Sequence, residues 1–120
     1  MKTRILICDD DEPISEMLKI ILEEEGYEVK LMQNGKAILK KVTEYQPNLI
    51  LIDLWMPGID GKEAVKLLKK EAQTSSIPIY IISALHESEI SKIAKQIGAN
   101  GYLLKPFNLD ELLLLVKNNT

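Results

Sequence analysis

The chain has 120 residues, a formal net charge of −3, 46% hydrophobic and 28% charged residues. That length fits one domain, residues 1–120, and that balance excludes a disordered chain. No basic cluster resembles a nucleic-acid footprint and no apolar segment is long enough to span a bilayer, so direct nucleic-acid binding and membrane insertion are not expected.

Ile5 to Cys8 is a continuous apolar run, the pattern of a strand covered on both faces. Asp9-Asp10-Asp11-Glu12 follows it where a secretory leader would carry a small-residue cleavage site, so a cytoplasmic protein is expected. Cys8 is the single cysteine and reads as a small core residue. Ile14, Met17, Leu18, Ile21 and Leu22 recur as one helical stripe, with Pro13 suited to its first turn and Gly26 to its C-terminal cap. In Tyr27 to Met32, Val29 and Leu31 alternate with Glu28 and Lys30, which predicts a half-covered edge strand. Asn34 is the predicted cap of a second helix with Ile38, Val42 and Tyr45, stopped before Pro47.

Leu49 to Ile52 is another fully apolar strand, and Asp60 is the predicted cap of a third helix carrying Ala64, Val65, Leu67 and Leu68. Ile79 to Ile82 forms a strand entered through Pro78. Ile90, Ile93, Ala94 and Ile97 mark a fourth helix ending at Gly98. Tyr102 to Leu104 is the last strand, and Asn108 with Glu111 resembles a capping box opening a fifth helix. That helix has an inward stripe of Leu109, Leu112, Leu113 and Val116, broadened by Leu114 and Leu115. Strands alternating with helices predict an α/β domain: a five-stranded parallel sheet with helices on both faces.

Ligands of such sheets bind beyond the carboxyl ends of the strands. The first strand delivers Asp9 and Asp10 there, the third Asp53, the fourth Ser83 and the fifth Lys105. Taken singly, each has an ordinary explanation: helix-start acids, turn chemistry, a cap, a solvated lysine. Asp11 and Glu12 are read that way. Five such residues on one rim point to one site. A carboxylate cluster needs a cation, and two carboxylates with a carbonyl and waters suit octahedral Mg²⁺. His86 stands alone and offers no zinc site. A carboxylate, a divalent ion, a lysine and a hydroxyl together describe phosphoryl chemistry.

Four segments carry a family resemblance: Ile5 to Asp10, Leu51 to Gly61, Ile82-Ser83-Ala84, and Gly101 to Phe107. They resemble the receiver domain of two-component response regulators, including the single-domain chemotaxis type, over nearly the whole chain. The spacing Asp53-x-x-Met56-Pro57-x-x-Asp60-Gly61 and the ending Lys105-Pro106-Phe107 are the specific parts. The resemblance implies the strand order 2-1-3-4-5, which is known for the chemotaxis regulators. It implies that Asp53 accepts a phosphoryl group from a sensor histidine kinase or phosphotransfer protein. Mg²⁺ would be held by Asp10, Asp53 and the Trp55 carbonyl, with Asp9 acting through water. Lys105 would pair with the phosphoryl group and precede a cis proline. Ser83 and Tyr102 would move and change the face made by the fourth helix, fifth strand and fifth helix. That face would address a downstream protein, an output domain or a second copy of the chain.

Trp55 and Leu85, two residues beyond Asp53 and Ser83, are apolar. They are expected to hinder water at the phosphoryl group and prolong its life. Other classes fit less well. A phosphohydrolase acting through an aspartyl-phosphate would want a second acid where Trp55 stands. A flavin carrier would want a hydroxyl- and glycine-rich loop where Asp9 to Glu12 stand. The chain is thus read as a signalling module that catalyses its own phosphorylation and dephosphorylation, rather than as an enzyme on external substrates. Asn118-Asn119-Thr120 reads equally as a terminus and as the start of a polar linker.

Overall fold

A computed structural model describes residues 2–55 and 57–120; Met56 of the quoted motif therefore lies outside the described residues. Strands β1 (Arg4–Cys8), β2 (Glu28–Met32), β3 (Leu49–Asp53), β4 (Ile79–Ser83) and β5 (Gly101–Leu104) alternate with helices α1 (Glu12–Glu24), α2 (Ile38–Tyr45), α3 (Gly61–Lys70), α4 (Glu87–Ile97) and α5 (Leu109–Asn118). The strands form one parallel sheet in the order β2-β1-β3-β4-β5. The predicted fold class and order hold, and β2 is an edge strand.

Alternation along the strands divides the core in two. Leu6, Cys8, Ile50 and Ile52 face Ile38 and Val42 of α2, Ala64, Val65 and Leu68 of α3, and Ile90 and Ala94 of α4. Ile5, Ile7, Leu49 and Leu51 face Leu18 and Leu22 of α1 and Leu112 and Val116 of α5. All of β3 is buried, as a central parallel strand requires. Truncating one such leucine to alanine costs about 2–5 kcal/mol. This rigid sheet fixes the positions of the residues at its carboxyl rim.

Three local expectations are corrected. Asn34 does not cap α2; its side chain accepts a hydrogen bond from Lys36 N at 3.0 Å in a tight turn. Ala37 is the cap residue, in the left-handed region at φ 56°. The helix starts late because Gly35 N is tied across to Pro57 O at 2.8 Å, which anchors this loop to the one after β3. Ile14 and Met17 are exposed, because the buried row of α1 is Ser15, Leu18 and Leu22. Those two side chains instead line a cavity of about 310 Å³ with Ala84, Lys105, Pro106 and Phe107. Leu109 is also exposed, at the first residue of α5, before the helix turns its stripe onto the sheet. Leu114 is exposed, whereas Leu113 and Leu115 are partly buried against the core. Pro13, Asp60, Gly98 and Asn108 occupy the helix-end positions expected of them.

Candidate functional site

Asp53 is the last residue of β3, and Asp9 follows the last residue of β1. Because β1 and β3 are paired, Cys8 against Ile52, both carboxylates leave the sheet at one level. Both are buried, with relative exposures of 2% for Asp9 and 7% for Asp53, while Asp10 is exposed at the rim. One carboxylate oxygen from each of Asp9, Asp10 and Asp53 lies within 4.8 Å of the others.

Backbone and side-chain donors orient the two buried acids. Asp9 Oδ1 accepts from Asp11 N at 3.0 Å, and its Oδ2 accepts from Lys105 Nζ at 2.8 Å. Asp53 Oδ1 accepts from Trp55 N at 3.0 Å, and its Oδ2 accepts from Lys105 Nζ at 3.1 Å. Lys105 therefore bridges both carboxylates and is not a solvated lysine. Burial pulls its pKa down, but the hydrogen bonds to Asp9 and Asp53 outweigh that, and the net shift is upward. The Lys105–Pro106 peptide is cis, as the resemblance implied.

Ser83 ends β4 and is buried; its Oγ accepts from Leu85 N at 3.1 Å. Ser83 pairs with Leu104 in register, and its carbonyl accepts from Lys105 N at 2.8 Å, so it stands between the Asp53 and Lys105 strands. Trp55 is 64% exposed and lines an open groove with Asp10, Pro57 and Asp60. Leu85 is partly buried and packs against the core cluster that includes Ile90 and Ala94 of α4. His86 caps α4 without a side-chain hydrogen bond.

The donor set suits a hard divalent cation. Three carboxylates face one ammonium, which leaves an excess of negative charge among oxygen ligands and no nitrogen or sulfur donor in the cluster. Cys8 adjoins it in sequence, but burial and the neighbouring Asp9 push its thiol up to about 12, so it is a neutral core group.

Two supporting features were not anticipated from sequence. Gly61, at the start of α3, packs so closely on β3's end that a Cβ there would stand 2.6 Å from Leu54 Cα and 2.7 Å from Leu54 O. A Cβ on Gly35 would collide with the Ile59 side chain, so the loops after β2 and β3 interlock beside Trp55. The glycines themselves, placed next to Asn34 and Asp60, were the available signal.

Comparison with known proteins agrees with this geometry. The family described as response regulator receiver domain matches residues 5–117. The phosphate regulon transcriptional regulatory protein PhoB of Klebsiella pneumoniae is 36% identical over 98% of this chain and 51% of its own length. The DNA-binding response regulator MtrA of Mycobacterium tuberculosis is 34% identical over 98% of this chain and 50% of its own. The chain spans about half the length of these curated relatives. Among solved structures, the chemotaxis response regulator CheY4 of Vibrio cholerae superposes with a TM-score of 0.91 at 30% identity, covering 100% of both chains. The receiver domain of Francisella response regulator 1452 gives 0.88 at 33% identity, covering 98% of this chain and 95% of that one. The protein belongs to the response regulator receiver domain family.

Proposed function

We propose that residues 1–120 form one receiver domain in which Asp53 accepts a phosphoryl group from the phosphohistidine of a sensor kinase or phosphotransfer protein. The observation that supports this best is the convergence of Asp53, Asp9, Asp10 and Lys105 on the rim where β1 and β3 adjoin. In this reading an Asp53 carboxylate oxygen attacks phosphorus, the P–N bond breaks, and its electron pair stays on the imidazole nitrogen. The product is a mixed anhydride of Asp53.

Asp10, Asp53 and the Trp55 carbonyl would hold Mg²⁺, with Asp9 acting through water. The bound ion would offset the charge of the phosphoryl oxygens. Lys105 leaves Asp9 to meet the phosphoryl group, and Ser83 Oγ turns from Leu85 N to donate to it. Tyr102 follows inward, which changes the α4-β5-α5 face. That face then addresses a downstream protein, an output domain or a second copy. The kinship with regulators named as DNA-binding and transcriptional supports an output domain as one such audience. The chain acts as a cytoplasmic signalling module on itself; none of its described helices is long and apolar enough to cross a membrane.

Trp55 would shield the phosphoryl group from water. Leu85, packed toward the core, is less suited to that task than its sequence position suggested. The test is labelling by a small acyl-phosphate donor with Mg²⁺, read by mass spectrometry. One phosphoryl group should appear on the wild type and none on Asp53→Asn. Equal labelling of both would remove the assignment.

A further inference from the structure

Tyr102 is the second residue of β5, and its ring packs against the core cluster that includes Ile90 and Ala94 of α4. Its hydroxyl reaches past that cluster to the surface and donates to Glu87 Oε1 at 3.0 Å. Glu87 is the first residue of α4. The Glu87 bond holds the phenolic proton more firmly than in a free tyrosine. Glu87 is exposed and takes part in no ion pair among the described residues.

We infer that Glu87 is a positioning residue: it latches Tyr102 outward and so biases the domain toward the unphosphorylated state. This rests on the reading of Tyr102 as the partner that moves inward behind Ser83. An inward Tyr102 must give up the Glu87 bond, so the bond's strength subtracts from the drive to activate. The same bond ties β5 to the N-terminal turn of α4, two of the three elements of the responding face. Losing it frees that turn when Ser83, four residues earlier, changes partners.

Beryllofluoride with Mg²⁺ mimics the acyl phosphate and needs no kinase. Its apparent affinity should rise in Glu87→Ala by roughly two- to tenfold, the span of a single exposed hydrogen bond. Glu87→Gln, which keeps a neutral acceptor of the same length, should fall between. Tyr102→Phe, which removes the gripped hydroxyl, should bind as tightly as Glu87→Ala, and the double variant should gain nothing more. An unchanged or weaker affinity in Glu87→Ala overturns the latch. So does a gain that persists undiminished in the Tyr102→Phe background, since it would come from the helix terminus alone. The underlying switch has its own readout: the Tyr102 ring resonances of the wild type must shift when beryllofluoride is added. If they stay still, the switch reading fails whatever Glu87 does.

Discussion

Lys105 Nζ sits 3.1 Å from Asp53 Oδ2 while also donating to Asp9 Oδ2 at 2.8 Å. The ammonium therefore occupies ground that a divalent cation must share, and the two compete for the same carboxylate charge. Removing it should have opposite effects on the two ligands of the site. Lys105→Ala should bind Mg²⁺ more tightly, on the order of tenfold, because one positive charge no longer opposes the ion. It should accept phosphate more slowly, because nothing replaces the ammonium at the phosphoryl oxygens. Trp55 is the only tryptophan and stands two residues from Asp53, so its emission reports the metal titration directly. Weaker Mg²⁺ binding in this variant would contradict the competition.

Asp10 differs from its neighbours in being exposed, and it adds negative charge to a cluster already held by one lysine. A cation that binds only the folded state stabilises it by about 1.4 kcal/mol at ten times its dissociation constant. For a domain of this size the melting temperature should rise by roughly 4–8 °C. Asp10→Asn should lose most of that rise while melting no lower than the wild type in chelator, since it relieves repulsion. Calorimetry with and without Mg²⁺ measures both effects.

Much of this site was legible because it depends on strand ends. Asp9, Asp53, Ser83 and Lys105 are each the last strand residue or the next one, and a parallel sheet brings such residues to one rim whatever the details of packing. What depended on side-chain direction was not legible. Ile14 and Met17 share a helical period with Leu18, yet they fall beyond the sheet and face the rim cavity. Asn34 has the chemistry of a cap, but the Gly35–Pro57 hydrogen bond claims its turn first. The Glu87–Tyr102 contact joins residues fifteen apart on different elements, and neither propensity nor spacing marks it.

Trp55 is 64% exposed, and its backbone N–H holds Asp53 Oδ1. A large ring tethered so close to the carboxylate proposed to react should limit the approach of an in-line water. Trp55→Asn should shorten the lifetime of the phosphorylated form several-fold, whereas Leu85→Asn should change it less because Leu85 faces the core. Loss of the labelled species after removal of the donor, followed by mass spectrometry, gives both lifetimes. No shortening in Trp55→Asn would leave the ring as packing over the turn.

Cys8 is wholly buried in the sheet, and its thiol is raised from 9.0 to about 12 by burial first and Asp9 second. The folded state therefore keeps a proton that the unfolded chain loses, so stability falls as pH rises between those values. The slope for one such group is about 1.4 kcal/mol per pH unit. The raised pKa of Lys105 acts in the same direction at higher pH, as its ion pairs are lost on deprotonation. Denaturant unfolding at several alkaline pH values should show a shallower decline in Cys8→Ala than in the wild type. At neutral pH a thiol reagent should label Cys8 only on unfolding.

Gly61 separates the site's support from general stability. A methyl group there would press on Leu54 Cα and O, both backbone atoms that cannot rotate away. Relief requires moving the segment between Asp53 and Pro57, which carries the Trp55 carbonyl proposed to face the metal. Gly61→Ala should cost roughly 1–3 kcal/mol as overpacking and also weaken Mg²⁺ binding. Val116→Ala, on the opposite side of the sheet in α5, should lower stability without changing Mg²⁺ affinity at temperatures where it is folded. If both variants bind Mg²⁺ as the wild type does, the close approach of α3 to β3 serves packing alone.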